Sequence, residues 1–267
     1  MTEAPTAYRS MRLERDGALA RLTFIQPERG NPIDGIFCAE YSRMAQEIAA
    51  DPSIRAVLVR SEGAVFSFGG DVRTFYKNLD QLPALIAQWA FDLHDGIAKL
   101  QMMDAPMVVA VHGMCVGGMG GLVASADIVV AEPETKFVAA YAGIGFSNDA
   151  GTSIMYSRRM GSARTRRFLL MNETLDAQAA LAAGLIDELV PTAALFDRAE
   201  EIAMQLAAGP TKAFGQIRRL MTSVEDQSLS AQLDLEAQGL ARTAGTADAR
   251  EGITAFYEKR KPLFRGE

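Results

Sequence analysis

The segment Met107–Gly121 constrains the fold of this chain more than any other stretch. Its sequence, MVVAVHGMCVGGMGG, begins behind Pro106 as an apolar, β-branched run and then breaks into five glycines. Such a run predicts a buried strand, and glycines let the backbone approach a ligand closely because they carry no β-carbon. We therefore expect a strand that leads into a site built from backbone N–H groups.

Two common glycine-rich motifs do not match this segment. A dinucleotide-binding fingerprint would need a third glycine where Val123 stands. A phosphate-binding loop would need a lysine, and none occurs between Lys99 and Lys136. A purely structural role, in which small residues allow a strand and a helix to pack tightly, stays open from these residues alone.

Charge and cysteine content exclude several classes of function. The 267 residues include 27 Lys and Arg against 33 Asp and Glu, a net charge of −6, so nothing favours nucleic-acid binding. Cys38 and Cys115 lie far apart without metal-ligand spacing, which favours a reducing compartment and no metal site. With no secretory leader and no apolar run long enough for a membrane span, we expect a cytoplasmic protein that does not bind membranes.

Strands and helices alternate along the first two thirds of the chain. The predicted elements are a hairpin formed by 9–14 and 18–25 around Asp16-Gly17, a helix at 33–49, a strand at 54–60, a helix at 82–103 and a strand at 127–131. This alternation predicts an α/β fold. From Asp176 onward the pattern is helical, with stops at Gly184 and Gly209-Pro210.

Four patches in this order resemble the crotonase superfamily, the enoyl-CoA hydratase/isomerase fold. They are Phe66–Asp71 (FSFGGD), Pro106–Asp127, Asp176–Pro191 and Phe256–Lys261 (FYEKRK). The resemblance implies a spiral of ββα units over residues 1–195 and a C-terminal helical oligomerisation region over 196–267. It also implies a homotrimer or homohexamer, and Leu229–Leu240 has an apolar face suited to another subunit.

The resemblance implies an acyl-CoA thioester as substrate, with coenzyme A as part of that substrate and no separate cofactor or metal. In the family two backbone N–H groups hold the thioester oxygen and stabilise the oxyanion that forms there. By position, these donors are the amides of Phe68 and Gly118. The residues implied to contact substrate or coenzyme A are Ala64, Phe66, Gly69, Gly70, Asp71, Gly117, Tyr141 and Lys259.

Typical hydratases of the family use two catalytic glutamates. The resemblance matches their positions to Gly121 and Tyr141 in this sequence, so both glutamates are missing. Glycine has no side chain, and tyrosine starts from a pKa of about 10, so neither replaces a glutamate as acid or base at neutral pH. Hydration by the two-glutamate route is therefore disfavoured, and a non-standard acid and base set would be needed.

Asp149 is the remaining candidate acid. An aspartate in this loop could cap the following helix. In the family, an acid at this place shuttles a proton in enoyl-CoA isomerases and attacks the ring in 4-chlorobenzoyl-CoA dehalogenase, where a histidine in the position of His94 activates water. We expect Δ3–Δ2 enoyl-CoA isomerisation, which needs only one carboxylate. Aryl-CoA dehalogenation and a catalytically silent CoA-binding protein are the alternatives.

Overall fold

The computed structural model describes residues 8–267, and its strands form two sheets. Over these residues the nine strands are β1 Met11–Asp16, β2 Leu19–Phe24, β3 Ala56–Ser61, β4 Met107–Val111, β5 Met114–Val116, β6 Ile128–Ala131, β7 Lys136–Val138, β8 Thr174–Asp176 and β9 Glu188–Leu189. The larger sheet has the order β1-β2-β3-β4-β6-β9, and the smaller has the order β5-β7-β8. Only β1 with β2 and β7 with β8 pair antiparallel.

Helices connect these strands and then make up most of the C-terminal third. They are α1 Gly35–Ala50, α2 Val72–Lys77, α3 Leu82–Met102, α4 Gly118–Ala124, α5 Thr152–Met160, α6 Ser162–Leu170, α7 Ala177–Ala183, α8 Leu195–Ala207, α9 Thr211–Ser223, α10 Leu229–Ala244 and α11 Ala247–Tyr257. The parallel strands require crossover connections, which α1, α3 and α4 supply. The predicted α/β class is confirmed.

Local signals located several elements correctly. The hairpin is formed by β1 and β2, with Asp16 opposite Leu19 and Gly17 at a φ of 57°. The predicted helix at 33–49 is α1, which begins after Asp34 because this carboxylate accepts hydrogen bonds from the amides of Ile36 and Phe37. Gly184, at a φ of 81°, ends α7 as predicted.

The segment Met107–Gly121 contributes to both sheets. Gly113, at a φ of 56°, separates β4 from β5 and lies so close to another loop that a β-carbon there would be 2.3 Å from the carbonyl oxygen of Ala64. Only glycine fits this turn without strain. The segment therefore leaves the larger sheet at Gly113, and its remaining glycines lie at the start of α4.

The core lies on both faces of the larger sheet. In β4, Met107, Val109 and Val111 face the cluster that includes α1 and α3, whereas Val108 and Ala110 face α8. The predicted boundary between 195 and 196 falls within the first turn of α8, and this helix packs on one face of the larger sheet. Between Tyr8 and Glu267, none of the helices has the length and apolar character needed to cross a bilayer.

Candidate active site

Gly118 offers an unused backbone donor where β5 ends and α4 begins. Gly117, at a φ of 57°, turns the chain there, and its own amide donates to the carbonyl of Val138. As the first residue of α4, Gly118 has no intrahelical acceptor for its N–H, and its amide has no other acceptor among residues 8–267. The donor predicted at Gly118 is thus available to a ligand.

The second predicted donor, Phe68, is already engaged. Its amide donates to the carbonyl oxygen of Gly30 at 2.9 Å, while its ring is 54% exposed. A backbone N–H has one hydrogen to donate, so this amide does not serve an oxyanion while the loop keeps this conformation. The assignment of Phe68 as a donor conflicts with the structure.

Gly70 provides the available amide in the same loop. Its N–H has no acceptor in the described part of the chain. The two hydrogen bonds to Ile33 are made by its neighbours: the Ile33 amide donates to the carbonyl of Gly69, and the Asp71 amide donates to the carbonyl of Ile33. The Cδ1 atom of Ile33 is 3.2 Å from the position that a β-carbon would take on Gly118. The backbone of Ile33 therefore pairs with the Gly70 loop, while its side chain reaches Gly118.

Hydrogen bonds hold the Gly70 loop beside β5. The Ser67 hydroxyl donates to the carbonyl of Asn31 at 2.7 Å and accepts from the amide of Gly69 at 2.9 Å, and Ser67 pairs with Cys115 in an isolated bridge. A β-carbon on Gly69 would lie 2.6 Å from the carbonyl oxygen of Val116. This close approach requires glycine at position 69.

Asp71, predicted to contact the substrate, is occupied by its own chain. Its carboxylate caps α2 through the amides of Arg73 and Thr74 and accepts from Arg29 at 2.8 Å. Burial acts to raise the pKa of Asp71, but the hydrogen bonds of Thr74 and the charge of Arg29 outweigh it and hold the pKa below its ordinary value. Arg29 also pairs with Asp34 at 2.8 Å, so this ion-pair group ties the loop to α1.

The other residues predicted to contact substrate or coenzyme A differ in their placement. Phe66 is buried in the core, with its ring centroid 5.7 Å from that of Phe24, so only its backbone borders the loop. Ala64 is exposed next to the Gly113 turn. Lys259 is exposed just after α11, and no hydrogen bond in residues 8–267 connects it with the glycine loops.

Tyr141 lies beside Gly118. Its hydroxyl oxygen is 3.0 Å from the position that a β-carbon would take on Gly118. Burial and the nearby negative charge of Asp149 both raise the pKa of Tyr141 above its ordinary value, so the phenol stays protonated at neutral pH. A protonated phenol can donate a hydrogen bond but cannot act as a base.

Asp149 lies in the loop before α5, and its carboxylate does not cap that helix. The N-cap residue is Gly151, and only the backbone carbonyl of Asp149 accepts from Thr152. The carboxylate Oδ1 instead lies 2.6 Å from Nε2 of His94 on α3. The two side chains are half-exposed, at 38% for Asp149 and 50% for His94.

Ala150 connects this pair with the glycines. Its β-carbon is 3.3 Å from the β-carbon position on Gly118, and its carbonyl oxygen is 2.2 Å from the β-carbon position on Gly121. The backbone of Ala150 thus fills the space that a side chain at position 121 would need. The structure brings Gly118, Tyr141, Asp149 and His94 together.

A cavity of about 540 Å³ opens beside the His94–Asp149 pair, between α3 and α5. Its lining includes Ile97, Gln101, Ile154 and Arg158, none of which is among the site residues predicted from the sequence. Their spacing along the two helices was a usable signal, since residues four apart share a face. No group of three or more potential metal-ligating side chains occurs over positions 8–267.

Comparison with known proteins identifies relatives along nearly the whole chain. The enoyl-CoA hydratase/isomerase family model matches residues 14–267. The chain is 31% identical to 1,2-epoxyphenylacetyl-CoA isomerase of Escherichia coli (strain K12), over 92% of this chain and 94% of that protein. It is 29% identical to 4-chlorobenzoyl coenzyme A dehalogenase-1 of Arthrobacter sp, over 92% of this chain and 90% of the relative.

A solved structure with the same architecture is an enoyl-CoA hydratase from Polaromonas sp. JS666. It superposes with a TM-score of 0.90 at 29% sequence identity, and the match covers 96% of this chain and 99% of that one. The crotonase-like fold inferred from the four sequence patches is therefore confirmed. The chain belongs to the enoyl-CoA hydratase/isomerase family, whose members act on acyl-CoA thioesters.

Proposed function

We propose that this protein is an enoyl-CoA isomerase that moves a double bond between the Δ3 and Δ2 positions of an acyl-CoA. The observation that carries the proposal is the placement of the Asp149 carboxylate, which is free of helix capping and lies in the loop that borders Gly118. In this reaction one carboxylate removes a proton from the α-carbon and returns it to the γ-carbon. We assign this carboxylate to Asp149, which lines the cavity beside the glycines.

The negative charge that forms on the thioester oxygen needs hydrogen-bond donors that are already in place. We assign this role to the amides of Gly118 and Gly70, both of which lack an acceptor within residues 8–267. Gly70 replaces Phe68 in this assignment because the Phe68 amide is bonded to Gly30. The reaction uses no separate cofactor, because Asp149 moves the proton and coenzyme A enters with the substrate.

The surroundings of Gly121 support isomerisation over hydration. A glutamate at position 121 would clash with the carbonyl of Ala150, which would be 2.2 Å from its β-carbon. Tyr141 is held in its protonated form, so it is a donor and cannot activate water. Within residues 8–267, Asp149 is the one carboxylate that lines the cavity, whereas water addition by the usual route requires two glutamates.

The purified protein with a 3-enoyl-CoA tests this proposal, with formation of the conjugated 2-enoyl thioester followed by its ultraviolet absorbance. We expect turnover by the wild type and a loss of about 10²-fold or more in the Asp149→Asn variant, because general acid–base catalysis contributes about that much. The variant should remain folded, since Asp149 is half-exposed. Turnover by Asp149→Asn at the wild-type rate would exclude the proton shuttle.

The contact between His94 and Asp149 favours a second candidate, hydrolytic dehalogenation of an aryl-CoA. Asp149 would attack the ring carbon that carries the halogen, forming an aryl ester as halide leaves. Water, deprotonated by His94, would then cleave the ester at the aspartyl carbonyl and restore the carboxylate. Release of chloride from 4-chlorobenzoyl-CoA by the wild type, and its loss in His94→Gln, would establish this reaction in place of isomerisation.

The third alternative is a protein that binds acyl-CoA without reacting. Binding of several acyl-CoA thioesters by calorimetry, together with no change in any of them, would support it.

For the assembly we propose a homotrimer or homohexamer in the cytoplasm, with α10 and α11 at subunit contacts. These helices expose the large apolar side chains of Leu229, Leu233, Leu240, Ile253 and Phe256. Isolated apolar residues are common on surfaces, but a contiguous set is typical of an interface. Such an interface would also allow Lys259 to reach coenzyme A bound to a neighbouring subunit. Light scattering of the purified protein measures the oligomeric state.

A further inference from the structure

The cavity beside Asp149 is a groove with a defined direction. On α3, His94, Ile97 and Gln101 are spaced three and four residues apart, so they lie along one face of the helix. Seven residues at about 1.5 Å each give a groove of roughly 10 Å from His94 to Gln101. On the opposite side, Ile154 and Arg158 are one turn apart on α5.

The middle of the groove is apolar. Ile97 and Met155 are buried, whereas Ile154 is 42% exposed. An apolar group lying between α3 and α5 would cover this exposed side chain and gain free energy from the area removed from water. The groove therefore fits the hydrocarbon part of an acyl group that extends past Asp149.

Arg158 makes the far end of the groove cationic. Its Nη2 atom donates to the carbonyl of Thr222 at 2.7 Å, and its Nε atom lies 3.5 Å from Glu225. Its Nη1 atom has no acceptor among the residues that the structure describes. The Arg158 side chain is only 19% exposed, so a cation with an unused donor lines the groove at the end opposite His94.

We propose that the preferred substrate carries a carboxylate at the end of its acyl group and that Arg158 binds it. This inference rests on the proposed function, because it starts from a thioester held at Gly118 with its reacting carbons beside Asp149. The acyl chain then continues along Ile97 and Ile154 until its terminal carboxylate meets the guanidinium. The unused Nη1 group and the positive charge of Arg158 are both suited to a carboxylate.

Glu225 does not block this contact. Its carboxylate is 51% exposed and lies 3.5 Å from Arg158, so Glu225 is only loosely paired with the guanidinium. The only other ionisable side chains that line the groove, His94 and Asp149, lie at its opposite end. A substrate carboxylate can therefore displace Glu225 toward solvent.

The test uses acyl-CoA thioesters of equal chain length that end in a methyl group, a carboxamide or a carboxylate. With the matching 3-enoyl thioesters, the wild type should give the highest kcat/KM for the carboxylate. The Arg158→Met variant should lower kcat/KM for the carboxylate compound by about tenfold or more, since a hydrogen bond to a charged group contributes about that much. For the methyl compound kcat/KM should fall by less than about threefold. Arg158→Lys, which keeps the charge, should restore part of the preference.

Arg166→Met is the matched control, because Arg166 is an exposed arginine on α6 that does not line the groove. It should leave the preference unchanged. Equal loss for all three end groups in Arg158→Met, or a wild-type preference for the methyl compound, would overturn the proposal.

Calorimetric binding of the saturated thioesters separates this inference from the proposed reaction. Tighter binding of the carboxylate compound that depends on Arg158, without any isomerisation, would support the groove and reject the isomerase. Isomerisation that depends on Asp149, with affinity independent of the end group, would support the isomerase and reject the groove.

Discussion

The Nε2 atom of His94 lies 2.6 Å from Oδ1 of Asp149, and the two residues are 55 positions apart in the chain. His94 comes from the long helix α3, and Asp149 comes from the loop before α5. The imidazole therefore fixes where the carboxylate points. For proton shuttling this is a positioning role, whereas hydrolysis of an aspartyl ester would require His94 itself to take a proton from water.

Replacing His94 by glutamine separates these two roles. Glutamine keeps a hydrogen-bond donor for Asp149 but cannot take up a proton. We expect His94→Gln to retain isomerase activity within about tenfold of the wild type, whereas Asp149→Asn loses about 10²-fold or more. Steady-state rates of the two variants with the same 3-enoyl-CoA provide the comparison. Equal loss in both would mean that His94 takes part in proton transfer.

Gly118 should tolerate no side chain without loss of activity. A β-carbon there would lie 3.0 Å from the Tyr141 hydroxyl and 3.2 Å from Cδ1 of Ile33, which is tighter than ordinary contact. We expect Gly118→Ala to remain folded but to lower kcat/KM by about tenfold to 10²-fold, because small displacements of reacting groups have effects of that size. Gly245→Ala at the end of α10, where a β-carbon has an ordinary contact, is the control. Unchanged kinetics in Gly118→Ala would remove this glycine from the site.

Gly121→Ala should destabilise the protein. The added β-carbon would be 2.2 Å from the backbone carbonyl of Ala150 and 2.9 Å from Cγ2 of Thr152, so the loop would have to move. Overpacking of this kind costs about 1–3 kcal/mol of the free energy of unfolding, which denaturant titration measures. Because the same loop carries Asp149, isomerase activity should also fall. A Gly121→Ala variant as stable as Gly245→Ala would show that the loop moves freely.

The C-terminal segment should loosen in acid. Hydrogen bonds from Arg260 and from the amide of Leu263 lower the pKa of Glu251 to about 2. A carboxyl whose pKa is lowered by folding stabilises the folded state above its unfolded pKa, and this stabilisation is lost as the pH falls toward the folded pKa. The difference in Tm between wild type and Glu251→Gln should therefore be largest above pH 5 and shrink between about pH 4.5 and 2.

Glu258→Gln is the control for this pH series. Glu258 contacts the same Arg260 side chain but not Leu263. A Tm difference for Glu251→Gln that does not change with pH would contradict the assigned role of its ionised carboxylate.

Sequence patterns located the elements because each depends on neighbouring residues. The Asp16-Gly17 turn, the Asp34 cap and the Gly184 stop act within a few residues, so their consequences can be read directly. The two donors were harder to assign. The amide of Phe68 is engaged because it donates to the carbonyl of Gly30, whereas the amide of Gly70 is free within residues 8–267. No local sequence pattern predicts this long-range hydrogen bond between Phe68 and Gly30.

The same limit applies to the side chains of the site. Asp149 and His94 could be proposed from a resemblance, but their contact follows from how the loop before α5 lies against α3. The apolar and cationic lining of the groove has only a helical spacing as its sequence signal. Its residues come from α3, α5 and α9, and only the packing of these helices makes them neighbours.

The backbone of Ala150 also bears on how such a chain can evolve. This buried residue has a φ of 54°, a conformation that costs about 1–2 kcal/mol in residues other than glycine. Its carbonyl closes position 121, and its neighbour Asp149 is the acid that we propose moves the proton. A mutation that restored a glutamate at position 121 would meet this carbonyl before it could assist any reaction. The loop would therefore have to change before position 121 could accept a glutamate.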